Sequence, residues 1–190
     1  MNLEEGRLLV RFARKTVEHY LTGVELPDSL VSEREDEKRG VFVSLHTHPD
    51  HQLRGCIGFP LPVYFLHEAV KKAALSAAFG DPRFDHLHAR EFPNVVFEVS
   101  VLSVPKEIEA KPEAIKVGRD GLIIEHRGHS GLLLPQVPGE FGWDETEFLE
   151  NVCRKAGLPP GAWKHDGVVL KSFQANVFEE TEPDGEVEEK

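Results

Sequence analysis

Residues 94–104 read NVVFEVSVLSV, and no other stretch constrains the fold so tightly. β-branched residues crowd it, which disfavours helix and suits a packed, pleated strand. Side chains alternate across a strand, so Phe97, Val99 and Val101 share one face and Glu98 and Ser100 the other. A strand this apolar needs neighbours. Residues 41–45 (VFVSL) predict one, with Val41, Val43 and Leu45 on one face. The turn-like HTHPDH follows, and residues 52–57 return as a second strand. Two further strands, 121–125 and 131–134, flank the polar turn HRGHS, and residues 168–178 predict a last strand.

Helical spacing appears between the strands. In residues 3–21, Leu9, Phe12, Ala13, Val17, Tyr20 and Leu21 recur on one face, and Gly23 supplies a stop. Residues 64–79 carry Ala69, Val70, Ala73, Ala74, Ala77 and Ala78 as a small-residue face that a neighbour can approach closely. Gly80-Asp81-Pro82 ends this helix. Residues 144–156 predict a third helix, capped by Asp144 with Glu147 and stopped at Gly157. A charge-rich connection covers residues 32–39. Hairpins mixed with helices argue for an α+β fold, with a mainly antiparallel sheet and packed helices, and against a doubly wound parallel sheet.

Composition narrows the class. The chain is 40% hydrophobic and 29% charged, as a folded domain is. Its apolar runs fall short of the roughly 18 residues of a membrane span. The start, MNLEEGRLLVRF, has acids where a signal peptide has base, so a cytoplasmic protein is expected. The two cysteines form no CxxC, which argues against a cysteine-based zinc site. The net charge is −11, and residues 179–190 hold seven acids and one lysine. So acidic and apolar-poor a stretch predicts a single domain over 1–180 and a disordered acidic tail over 181–190. No basic stripe is present, which argues against nucleic acid as a partner. No GxSxG, GxGxxG or Walker loop appears, so no cofactor is identified.

The chemistry centres on LRGCIG. Arg54 stands two residues before Cys56, which on a regular strand is the same face. Positive charge lowers a thiol pKa and makes the thiolate available as a nucleophile. Gly55 and Gly58 leave space for a ligand or another backbone. The competing account makes Cys56 a small apolar filler, with the glycines packing this strand on the alanine-rich helix. Cys153 shares a helix face with Leu149 and Ala156 and reads as core. Asp81 and Arg83 of GDPRF either bind a carboxylate or phosphate, or tie a loop internally. Glu98, if buried, needs a partner, and Arg54 or Arg83 are the candidates. His46, His48 and His51 share one loop, and His86 and His88 another. Without HExxH or a matched carboxylate they read as solvated histidines, and no metal site is expected.

LRGCIGFP, AAFGDPRF, FEVSVLS, GRDGLII, SGLLLPQV and FGWDETEFLENVCRKAGL, in this order, resemble the AMMECR1 domain family across residues 3–180. The family's hallmark falls on Leu53, Arg54, Gly55, Cys56, Ile57 and Gly58, and a second motif on Asp81, Pro82, Arg83 and Phe84. The HTHPDHQ loop lies outside its motifs. The resemblance implies an α+β fold with a larger and a smaller lobe. It also implies association with a Memo-like protein and a radical SAM protein in a modification pathway. Two functions then compete. One is an enzyme or covalent carrier using Cys56 with Arg54, and with Gly55, Gly58, Asp81, Arg83 and Glu98 in binding. The other is an adaptor whose LRGCIG hairpin presents a ligand or partner surface.

Overall fold

The computed structural model describes residues 1–26 and 37–190. Most of the charge-rich connection expected at 32–39 lies outside the described residues. The chain divides into two compact units, one of residues 1–102 and 176–190 and the other of residues 103–175. The second is inserted into the first. Among the described residues, no helix is long and apolar enough to cross a membrane.

The first unit opens with helix α1 (Leu3–Thr22), where Asn2 and Glu5 form a reciprocal capping box and Gly23 closes the end in the left-handed conformation. Strands β1 (Gly40–Thr47) and β2 (Leu53–Phe59) make the expected hairpin, followed by helix α2 (Leu66–Phe79) and strand β3 (Val95–Leu102). Strands β8 (Ala175–Glu180) and β9 (Val187–Glu189) complete a five-stranded sheet in the order β2-β1-β3-β8-β9. Both helices cover one face of it. There Leu9, Phe12, Ala13 and Val17 of α1 and the alanines of α2 meet Val41, Val43, Leu45, Phe97, Val99 and Val101 in one core. The alternation read in residues 94–104 therefore assigns Phe97, Val99 and Val101 to the helix side.

The second unit holds a four-stranded sheet, β4-β7-β5-β6, built from β4 (Lys106–Ile108), β5 (Gly121–His126), β6 (His129–Leu133) and β7 (Val169–Phe173). Its pairings are antiparallel. Arg127 and Gly128 turn the β5–β6 hairpin with positive φ at both positions, 48° and 82°, as a two-residue hairpin loop demands. Helix α3 (Val137–Phe141) precedes α4 (Glu145–Lys155), which carries the Asp144/Glu147 capping box. Phe148, Leu149, Val152 and Cys153 of α4 pack with Leu122, Ile124 and Leu170.

Two expectations are corrected. The single last strand at 168–178 is two strands in two different sheets, β7 and β8, parted at Gln174. The acidic tail is ordered: β9 pairs antiparallel with β8, from Phe178 opposite Glu189 to Glu180 opposite Val187. The acids at the end of β8, just before the tail, have specific partners. Glu180 is buried against Arg14 in a two-pronged ion pair of 2.5 and 2.6 Å, and it also accepts from the Phe97 amide at 2.9 Å. Charge density suggested solvation, but buried counter-charges override it.

Candidate functional site

β2 is the edge strand of its sheet. In the hairpin Ser44 lies opposite Cys56, and across the next ladder Ser44 lies opposite Glu98. Cys56, Ser44 and Glu98 thus form one cross-strand row on the face away from the two helices. Ser44 Oγ donates to Cys56 Sγ at 3.3 Å. Ser44 also lies near enough to the Glu98 carboxyl to favour its ionised form. A hydroxyl has one proton, so Ser44 can donate to the sulfur or to the carboxylate, but not to both.

The outer edge of β2 leaves the Cys56 peptide without a strand partner. The Cys56 amide donates to Asp81 Oδ2 at 2.9 Å, and its carbonyl accepts from Arg83 Nη2 at 3.3 Å. Arg83 in turn grips Asp81 through Nε (3.0 Å) and Nη2 (2.7 Å). Asp81 and Arg83 are therefore a clamp on the Cys56 backbone, the internal tie weighed from the sequence. The Arg83 hydrogen bond, together with the Cys56 amide, holds the Asp81 carboxyl well below the usual carboxylate range despite burial.

Arg54 does not serve the thiol. The β1–β2 register slips between Leu45 and His46, leaving Arg54 as the unpaired residue of a bulge. Regular alternation fails there, and Arg54 turns to Glu91 (3.0 and 3.3 Å). The arginine that acts electrostatically on Cys56 is Arg83. Cys56 is half-buried, and burial pushes its thiol up, against the pull of Ser44 and Arg83. The expectation of a thiolate depressed by Arg54 is corrected on both counts. Glu98 is half-buried too, and burial raises its carboxyl. Its electrostatic neighbours are His46, Glu179 and His51, not Arg54 or Arg83.

The glycines have packing roles. A Cβ on Gly55 would run into the Ala77 carbonyl, whose carbon would be 3.1 Å away and its oxygen closer. A Cβ on Gly58 would strike the Phe42 ring and the Val41 carbonyl. Neither glycine presents open space to a ligand; Gly55 lets α2 lie directly on the strand. Cys153 is buried in the core of the second unit, as its helix face implied.

Beside the clamp, Arg54, Arg83, Phe84, Asp85, His88, Arg90 and Glu91 line a depression of about 420 Å³. Arg54 and Arg83 are paired to carboxylates. The three arginines share this depression with Asp85 and Glu91, so Arg90 is its one arginine left without an ion pair among the described residues.

The histidines divide. His46 and His51 stack with ring centroids 4.4 Å apart, and Glu179 of β8 reaches both. His48, His86 and His88 stay outside this cluster. Burial opposes ionisation of Glu179, yet contacts with His46, Lys190 and His51 prevail and hold its carboxyl at about 2. Ser44, Glu91, Arg90 and Glu179 escaped the sequence reading. Ser44 alone carried a signal, since it breaks the apolar run VFVSL on the face opposite Val43 and Leu45.

Comparison with known proteins finds a family and a matching fold. The AMMECR1 family model matches residues 10–178. Protein MJ0810 of Methanocaldococcus jannaschii is 50% identical over 195 residues, covering 100% of this chain and 97% of the relative. Protein MK0488 of Methanopyrus kandleri is likewise 50% identical, over 100% of this chain and 95% of its own. The crystal structure of Uncharacterized Protein PH0010 from Pyrococcus horikoshii matches with a TM-score of 0.85 at 50% identity, covering 100% of this chain and 98% of that one.

Proposed function

The chain belongs to the AMMECR1 family, and we propose that it is an enzyme or covalent carrier whose reactive group is the Cys56 thiol. The carrying observation is the row Cys56–Ser44–Glu98. A thiol whose pKa burial has raised needs a proton acceptor at the moment of attack. Glu98, whose basicity burial has increased, is that acceptor through Ser44. The Cys56 S–H proton passes to Ser44 Oγ, the Ser44 proton passes to the Glu98 carboxylate, and the sulfur adds to an electrophilic carbonyl carbon of the substrate, whose C=O π bond opens and leaves its electron pair on the oxygen. Glu98 then holds the proton for the reverse or following step.

Arg90, the arginine of this depression without an ion pair among the described residues, supports a substrate with an anionic group, carboxylate or phosphate. Arg54 enters the reaction there, as part of the wall that positions the anion, rather than as the thiol's counter-charge. Placement in a modification pathway with Memo-like and radical SAM partners is the setting this reading adopts from the family.

The test needs no known substrate. Cys56 is alkylated in the folded protein with iodoacetate, which is anionic, and with iodoacetamide, which is neutral, and both cysteines are read by peptide mass spectrometry. Cys56 should outpace Cys153, favour iodoacetate relative to a free thiol, and lose that preference in Arg90→Ala. Its rate should climb only above the ordinary thiol range near pH 8.5. Glu98→Gln should slow it. A Cys56 as inert as Cys153 in the native protein sinks the reading.

A second reading has its own observation. Leu61, Val63 and Phe65, just past the hallmark, are exposed, and such a run suits a protein-docking surface. Under the adaptor reading Cys56→Ala retains partner binding, whereas Leu61→Ser/Val63→Ser loses it.

A further inference from the structure

We propose that His46, His51 and Glu179 form a binding site for a divalent transition-metal ion of the zinc type. The three donors come from separate places in the first unit: the end of β1, the turn after it, and β8. One donor atom from each lies within 4.8 Å of the others. In a tetrahedral site with bonds near 2.0–2.2 Å, donors stand about 3.4 Å apart, so closure around an ion takes side-chain shifts under about 1 Å each. Two imidazoles and one carboxylate is a donor set that zinc takes when a fourth position stays open to water or substrate.

Three details favour an ion over a plain hydrogen-bond cluster. His46 Nδ1 is buried without a hydrogen-bond partner, although it lies 3.3 Å from Glu179 Oε1. The buried Nδ1 atoms of His67 and His126 are unpartnered too, but only at His46 do two further donors converge beside the free nitrogen. The Glu179 carboxylate is divided in its tasks: Oε1 faces both histidines, while Oε2 holds the Lys190 ammonium at 2.9 Å. That leaves Oε1 as a single-point ligand whose orientation is fixed by an outer partner, the arrangement that supports metal ligands elsewhere. Finally, His51 sits at φ 50°, in the left-handed region that few side-chain-bearing residues adopt, with its ring stacked on His46. The open side is toward solvent, since the His51 side chain is 56% exposed. The site borders Glu98, but only its own three donors define it.

The test uses the full chain, stripped with a chelator. Zinc is titrated by calorimetry, and cobalt(II) by its visible absorption. The expected result is one ion per chain, with the cobalt spectrum of a four- or five-coordinate site. His51→Ala, at an exposed position, should weaken binding by at least 10-fold with an unchanged circular dichroism spectrum. Glu179→Gln should do the same with an unchanged circular dichroism spectrum, and His88→Ala should have no effect. Absence of stoichiometric binding, or binding that survives His51→Ala, or binding lost in His88→Ala instead, overturns the proposal.

Discussion

Gly55→Ala separates a glycine that serves packing from one that serves a ligand. The added Cβ would lie 3.1 Å from the Ala77 carbonyl carbon, with the oxygen nearer still. The obstacle is backbone, so no rotamer change relieves it. α2 must retreat by about 1 Å, loosening its buried face of Leu66, Ala69, Val70, Ala73, Ala74, Ala77 and Ala78. Overpacking of this kind costs about 3 kcal/mol. Gly55 is not among the glycines with positive φ, so alanine returns about 1 kcal/mol by restricting the unfolded chain. The net loss is about 2 kcal/mol, roughly a 30-fold fall in the folding equilibrium. Native-state hydrogen exchange, read by peptide mass spectrometry, reports each unit separately. The slowest amides of β1 and β3 should exchange about 30-fold faster, and those of β5 and α4 should not change. Gly139→Ala, where nothing lies within 4 Å of the new Cβ, is the control and should be neutral or slightly stabilising. If Gly55→Ala leaves β1 and β3 unchanged or slower, the packing account is wrong and the glycine is kept for another purpose.

Two further predictions follow from the same geometry. Asp81 has a folded pKa below its unfolded value of 3.8, so its stabilisation is present above about pH 4 and is lost as pH falls through the folded value. Asp81→Asn should therefore lower the urea midpoint at pH 7 and flatten the dependence of stability on pH below 4. Arg127 carries φ 48° at the β5–β6 turn, so Arg127→Asn should stabilise the second unit by up to about 1 kcal/mol. Both tryptophans, Trp143 and Trp163, lie in that unit. Their fluorescence in urea measures the shift, and a lower midpoint would refute it.

The elements that sequence pattern reveals are those with a local cause. Alternation in 94–104, the alanine spacing of α2 and the Asp144/Glu147 cap each depend on residues within a few positions of one another. What stayed hidden depends on distant ones. Arg54 was assigned to the face of Cys56 because a bulge has no local mark here, and the slip in register turned it to Glu91 instead. Nothing marked Glu180 as a core residue, because Arg14, 166 positions away, is invisible to a reading along the chain. The same limit concealed Glu179, without which His46 and His51 were two histidines in a loop. The clamp of Asp81 and Arg83 was legible as an internal tie, though not that it holds the Cys56 peptide.

The insertion of residues 103–175 between β3 and β8 has a consequence during synthesis. The inserted unit leaves the ribosome complete, while the first sheet still lacks β8 and β9. Until residue 180 emerges, Arg14 has no carboxylate to meet, and the β3 margin, VVFEVSVL, stands open with its backbone groups unpaired. Open margins of this kind recruit other strands. The nascent chain is therefore open to association with its neighbours from the emergence of β3 until β8 has emerged to cover it, because until then the most apolar strand of the protein lacks its partner.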